Sequence, residues 1–212
     1  MINKKLNKLK QRILEISFEH QLSHLGSCIS AVEIIDEIYR KKQDSEKFIL
    51  SEGHAALALY VINEKYHKID AEKAFNHHGV HPDRCKKCRL DCSAGSLGQG
   101  LPIALGMALA NREKNVYCLI SDGECAEGSI WETLRIKSNL KLSNLKVYVN
   151  LNGWGAYSNI NIKKLVKRIK SFDSHAIMRY TTVNQLPFLK GQSAHYHIMS
   201  ENNYHLAATK LK

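Results

Sequence analysis

Apolar residues recur every three or four positions at the start of the chain. Leu6, Leu9, Ile13, Leu14 and Ile16 share one face and predict an amphipathic helix from about Asn3 to Glu19. A second helix runs through Ile34, Ile35, Ile38 and Tyr39, with Ser30-Ala31-Val32-Glu33 read as its opening capping box. Three short runs have another character: Phe48-Ile49-Leu50, Val116-Tyr117-Cys118-Leu119-Ile120 and Leu145-Lys146-Val147-Tyr148-Val149. Such runs predict buried strands. Helical stretches lie between them, from about His54 to Tyr66, from Leu101 to Arg112 and from Ala126 to about Leu140. A basic helix near Ile162–Phe172 and a strand near Ile177–Val183 follow, while Asn76 to Gly100 reads as loop, rich in His, Cys and Gly. Strands alternating with helices predict an α/β fold on a parallel sheet. No repeat or long linker interrupts the pattern, so residues 1–212 are expected to form one domain.

Composition narrows the function classes. Hydrophobic residues make up 44% of the chain, an ordinary share for a globular protein. No apolar run approaches the ~20 residues of a membrane span. Met1-Ile2-Asn3-Lys4-Lys5 leads into a charged helix rather than a signal peptide's apolar core, and a cytoplasmic protein is expected. The net charge of +11 raises the question of nucleic acid. The densest basic group, Lys163, Lys164, Lys167, Arg168 and Lys170, has no interleaved aromatics and no nucleic-acid motif beside it. It reads as a solvated helix face, or as a surface for an acidic partner or an anionic substrate; neither nucleic acid nor membrane is expected as a partner. The six cysteines read as free thiols. Cys85, Cys88 and Cys92, spaced C-x2-C-x3-C behind His77, His78 and His81, leave a structural Zn2+ site as the alternative to reduced, unligated thiols.

The candidate chemistry sits where two strands end. Thirty residues separate Asp122 from Asn152, each following an apolar run, with a helix between. Strand, turn, helix and strand put both polar groups on the carboxyl edge of a parallel sheet, where ligands bind in open α/β folds. A carboxylate and an amide oxygen there suit a hard divalent cation, most naturally Mg2+ carrying a diphosphate. An ordinary Asp-Gly turn gives the same local pattern.

Four motifs in fixed order decide between these readings. They are Ser23-His24-Leu25-Gly26-Ser27, Phe48-Ile49-Leu50-Ser51-Glu52-Gly53-His54-Ala55-Ala56, Ser93-Ala94-Gly95-Ser96-Leu97-Gly98-Gln99-Gly100-Leu101 and Ser121-Asp122-Gly123-Glu124 through Glu132. Together with the Asn152 segment they resemble the transketolase family, in which a Gly-Asp-Gly run opens the thiamine diphosphate signature. The resemblance covers nearly the whole chain and weakens after about Ser158. It implies the parallel-sheet, three-layer thiamine diphosphate-binding fold, with the diphosphate-binding domain only.

The resemblance also implies roles for single residues. Asp122, Asn152 and the main-chain carbonyl of Trp154 would bind Mg2+, with Ca2+ or Mn2+ able to take its place. Ser121 replaces the family's first glycine and Asn150 a common Asp, while the ligand and Gly123 are kept. Gly95, Ser96, Leu97, Gly123, Glu124 and Asn152 fall on cofactor-binding segments, with Glu124 readable as a turn residue instead. His24, His54 and His81 match histidines that line the substrate funnel and carry protons near the reacting carbonyl. A further histidine near the diphosphate is expected at His195 or His197, with His197 preferred because Tyr196-His197 resembles a Trp-His pair. Glu127 matches an acid at the subunit interface.

The family's glutamate that activates the aminopyrimidine belongs to a second, pyrimidine-binding domain. The chain ends at Lys212 without one. The expectation is therefore the N-terminal subunit of a split transketolase, working with a separate C-terminal subunit in an α2β2 heterotetramer on sugar or sugar-phosphate substrates. Ser171 to His175 runs almost directly into Ile177, a shortening that points to an unusual sugar acceptor. Two other readings remain: a decarboxylating component, like 1-deoxyxylulose-phosphate synthase or a 2-oxoacid dehydrogenase, and a non-catalytic scaffold subunit.

Overall fold

Strands buried on both faces need helices on both sides, and the chain supplies them. In the computed structural model β1 (Lys47–Leu50), β2 (Val116–Ser121), β3 (Leu145–Leu151) and β4 (Ile177–Tyr180) lie side by side in that order. All three pairings are parallel. The structure describes residues 2–156 and 158–211. Met1, Tyr157 and Lys212, which the sequence reading assigns to the same domain, lie outside the described residues.

Side chains alternate across the sheet. Phe48, Leu50, Tyr117, Leu119 and Tyr148 enter one core, with α1 (Ile2–Glu19), α2 (Leu25–Lys41), α3 (Ala56–His67) and α4 (Ala71–His78) over them. Ile49, Cys118, Ile120, Val147 and Val149 enter the other, under α5 (Gly100–Ala110), α6 (Gly128–Asn139) and α7 (Ile162–Phe172). The result is a three-layer α/β arrangement, with the parallel sheet that the strand and helix pattern predicts and the layering that the resemblance implies. A last helix, α8 (Glu201–Lys210), returns to α1, where Tyr204 stacks on Phe18 at 4.7 Å.

Several boundaries differ from expectation for physical reasons. The second helix starts at Leu25, not at Ser30, because His24 turns the chain in a left-handed conformation (φ 61°) just before it. Ser30 therefore lies inside α2, where its hydroxyl donates to Ser27 O at 2.9 Å, and no capping box forms there. α4, capped by the Asp70 side chain accepting from Lys73 N, takes in Asn76, His77 and His78, the start of the region read as loop. A 3-10 turn, Gly123–Ala126, precedes α6. β4 ends at Tyr180, beyond which the Thr181 hydroxyl donates to Asn150 Oδ1.

One ion pair is sealed inside the second core's rim. Lys137 of α6 meets Asp173, at the end of α7, at 2.7 Å, with the side chains 7% and 4% exposed. Removing one partner of such a pair strands the other charge. Lys137→Ala is expected to cost about 3 kcal/mol in urea unfolding; a change under about 0.5 kcal/mol, the range of ordinary surface substitutions, would contradict this reading.

Candidate functional site

A parallel sheet delivers the ends of all its strands to one edge, and polar residues gather there. Asp122 follows β2 and is 1% exposed. Its Oδ1 accepts from Gly123 N at 3.0 Å and its Oδ2 from Gly153 N at 2.7 Å. Burial pushes its pKa up to about 7 against the pull of these N–H donors. Asn152, at the end of β3, is also buried, and its Oδ1 accepts from Trp154 N at 2.9 Å. The loop folds back over Gly123, where an added Cβ would lie 3.4 Å from Gly155 Cα and 3.6 Å from Trp154 O. A buried carboxylate without an opposite charge in hydrogen-bond contact among the described residues, an amide oxygen and a carbonyl make an all-oxygen donor set. That set fits Mg2+, and equally Ca2+ or Mn2+.

Glu124 behaves differently from the cofactor-binding role expected of it. Its Oε1 accepts from Ser51 Oγ at 2.6 Å and from Gly98 N at 2.9 Å, and its Oε2 from Ser121 N at 3.0 Å. The carboxylate is fully buried and engaged by the protein, so it ties strand ends to the glycine loop instead of facing a ligand. Gly98 is required at this junction. Its φ is +77°, and a Cβ there would lie 2.6 Å from Glu127 Cβ and from Ser129 Oγ.

Histidines close the site from above. His24, His54, His81 and His195 line a cavity of about 200 Å³ together with Asn152 and Trp154. The rings of His24 and His54 are 5.0 Å apart, and each is 6.4 Å from His195. His81 stands over Gly95, whose added Cβ would lie 3.4 Å from the imidazole. Burial first, then His195 and His81, push His24 down to about 4. Burial first, then the same group with His24, push His54 down to about 3. His195 bonds Ser27 Oγ through Nδ1 at 3.1 Å. His24 Nδ1 and His195 Nε2 are shielded from solvent and have no partner among the described residues.

His197, the preferred late histidine, lies elsewhere. Its Nε2 bonds Asn203 Oδ1 at 2.8 Å and its ring packs on Phe188 at 5.1 Å. The cavity takes His195 because the 3-10 turn Gly191–His195 docks on α2, where His24 N donates to His195 O at 2.8 Å. Gly95 and Leu97 reach the cavity, whereas Ser96 sits exposed in the turn beside them. Glu127 is exposed and lines an adjoining cavity of about 300 Å³ with Asp122, Lys164 and Arg168. Two basic residues of α7 thus share a cavity with Asp122 rather than facing bulk solvent alone. Glu52 went unremarked in the sequence, where a Glu is ordinarily exposed. It is fully buried, accepts from Asn150 Nδ2 at 3.2 Å, and is held well above the carboxylate range by burial and by Glu124.

The depressed histidines make acid stability a probe of the cavity. His24 and His54 titrate near 6.5 when unfolded and at about 4 and 3 when folded. On acidification the unfolded chain protonates these two histidines first, so their contribution to stability falls as pH drops from 6.5 through 4 towards 3, against an opposing gain from Asp122, whose carboxyl is raised to about 7 in the fold. The His24 share should be on the order of 2–3 kcal/mol, read as the change across that pH range in the urea-unfolding difference between the chain and His24→Asn, which tolerates the left-handed backbone. An unchanged pH slope in that variant would contradict the assignment.

Comparison with known proteins bears on this geometry. The transketolase, thiamine diphosphate binding domain family matches residues 24–184. Transketolase of Pongo abelii is 31% identical over 89% of this chain and 34% of its own length. A 6-deoxy-6-sulfo-D-fructose transketolase subunit of Clostridium sp. strain MSTE9 is 28% identical over 69% of this chain and 60% of its own length. The chain thus spans about a third of the animal transketolase it matches. Among solved structures, a Pichia stipitis transketolase variant superposes with a TM-score of 0.79 over 100% of this chain and 41% of its own, at 17% identity, and shows the fold is shared. The strand-end acid, the glycine loop and the matched span lead to one conclusion: this chain belongs to the transketolase family, as a thiamine diphosphate binding domain.

Proposed function

We propose that this chain is the N-terminal, diphosphate-binding subunit of a split transketolase. In this reading residues 1–212 form one domain that transfers a two-carbon ketol unit only with a separate pyrimidine-binding subunit, as a cytoplasmic α2β2 assembly. The observation that carries the reading is the buried Asp122 carboxylate, without a described countercharge, opening beside a four-histidine cavity. The Clostridium relative, itself named a subunit, supports separate encoding of the two halves.

Asp122, Asn152 and the Trp154 carbonyl would hold Mg2+, or Ca2+ or Mn2+ in its place, and through it the diphosphate. Gly123 lets the main chain approach that group. When bound, thiamine diphosphate supplies the carbon nucleophile that opens the ketose C2–C3 bond and carries the fragment to an aldose. His24, His54 and His81 bind sugar hydroxyls, the first two as neutral imidazoles, which donate and accept hydrogen bonds without bringing charge. His24 Nδ1 and His195 Nε2 have no partner among the described residues and are placed to receive a substrate or cofactor group. An imidazole there would take the C3 hydroxyl proton as the carbon–carbon bond opens and give it to the acceptor's carbonyl oxygen, which becomes a hydroxyl as the new bond forms. Gly95 and Leu97 form the wall towards the aminopyrimidine, and Glu127 meets the partner subunit. The histidines favour a polyol ketose, as sugar or sugar phosphate, over a 2-oxoacid.

Mixing the chain with a pyrimidine-binding transketolase subunit, thiamine diphosphate and Mg2+ tests the proposal by aldose release from ketose phosphates. Transfer is expected only with both chains present. Asp122→Ala should lower kcat/KM at least roughly a thousandfold, and His54→Ala about a hundredfold. No transfer in the mixture, or full activity of Asp122→Ala, would overturn it.

A further inference from the structure

Residues 85–90 form a tight hairpin that the proposed reaction does not use. Cys85 N donates to Leu90 O and Leu90 N to Cys85 O, both at 2.9 Å, and Arg89 closes the turn with φ 55°. Inside the turn Cys88 N donates to Cys85 Sγ at 3.3 Å, so the first sulfur accepts a main-chain hydrogen bond within its own loop. Asn63 of α3 anchors the hairpin by donating from Nδ2 to Cys88 O at 2.9 Å. His78, the last residue of α4, brings a ring nitrogen to the two sulfurs, and the three atoms lie within 4.8 Å of one another. Its Nε2 is shielded from solvent and has no partner among the described residues.

We propose that His78, Cys85 and Cys88 form a zinc site that fixes the loop carrying His81. The donor types decide the metal, since two thiols and an imidazole favour zinc over magnesium or calcium. Tetrahedral zinc, with Zn–S about 2.3 Å and Zn–N about 2.0 Å, holds its donor atoms roughly 3.5–3.8 Å apart. Small side-chain rotations bring the observed cluster to that spacing. Binding displaces the thiol protons, and water or the exposed His77, whose ring is 4.5 Å from that of His78, completes the four positions.

This ligand set differs from Cys85, Cys88 and Cys92, the one suggested by spacing. Cys92 stays outside the cluster: its Sγ donates to Ser93 O at 2.9 Å, and it packs against the core under α5 and α6. Cys85 and Cys88 pack against the core on the sheet's other face. A metal joining His78 to Cys85 closes residues 79–84 into a ring with His81 in its middle. The same segment is tied down by Tyr60 Oη donating to Gly79 O at 3.1 Å and by Ala94 N donating to Pro82 O at 3.0 Å. The site would thus act as a brace for the cavity wall rather than as a second reaction centre.

The test uses the full chain, expressed with zinc and purified under reducing conditions. A single equivalent of zinc should survive gel filtration. Replacement by Co2+ should give thiolate-to-cobalt charge-transfer absorption and tetrahedral d–d bands. Cys85→Ser with Cys88→Ser should abolish binding, His78→Ala should weaken it at least tenfold, and Cys92→Ser should leave it intact. Chelation should raise hydrogen exchange across residues 79–94. A wild-type chain that carries no zinc and gives no charge-transfer band with Co2+ would overturn the proposal, whether or not the variants fold. Metal retained by the Cys85→Ser, Cys88→Ser chain, or a Cys85–Cys88 disulfide persisting in reductant, would overturn it as well.

Discussion

Ser51 Oγ, Gly98 N and Ser121 N all donate to the carboxylate of Glu124, and through it three segments distant in sequence are held at one point. Ser51 leads directly to Glu52 and His54, Gly98 follows Leu97, and Ser121 precedes Asp122. The positions of His54, the glycine loop and Asp122 are therefore set against one another by a single buried group. Burying a carboxylate is costly unless its oxygens are met by donors, and hydrogen bonds to a charged group contribute roughly 1.5–3 kcal/mol each. Burial still wins on balance, leaving Glu124 above its ordinary pKa. The glycine at position 98 belongs to the same device, because any side chain there meets Glu127 and Ser129.

Beneath the cavity the electrostatics are one-sided. Glu52, Asp122 and Glu124 are all buried near the strand ends, and all three are held above the carboxylate range chiefly by burial. Above it, His24, His54 and His195 are all pushed down by burial, with mutual repulsion adding for the first two. A divalent cation among the acids would lower the cost of their ionisation while offering an anchor to an anionic group. The histidines meanwhile stay neutral, able to serve hydroxyls from either ring nitrogen. The site keeps acidic and basic groups in separate layers, and a ligand with a charged end and a polyol end suits that division.

The strand runs were legible because strands covered on both faces must be almost wholly apolar, and α1 because its apolar residues repeat at helical spacing. The start of α2 was not, since a left-handed His24 leaves no periodic trace. α8 escaped because its cap pairs Ser200 with Asn203 rather than with a Glu or Gln. At the site, residues lying within contiguous motifs could be placed from local sequence: Asp122 and Asn152 flank one strand–helix–strand unit, and the glycine loop is a single segment. Groups placed by tertiary docking could not. Only the seating of the Gly191–His195 turn against α2 separates His195 from His197. Likewise, only the folding of α4 beside the 85–90 hairpin brings His78 to Cys85 and Cys88, while Cys92 packs against the other core.

The central claim is that the strand-end oxygens of Asp122, Asn152 and Trp154 hold a divalent cation. Anomalous diffraction from crystals grown with Mn2+ and thiamine diphosphate tests it most directly. The account predicts a peak within about 2.0–2.5 Å of Asp122 Oδ, Asn152 Oδ1 and Trp154 O. A peak elsewhere on the chain, or none at these oxygens in crystals that contain the cofactor, would contradict it.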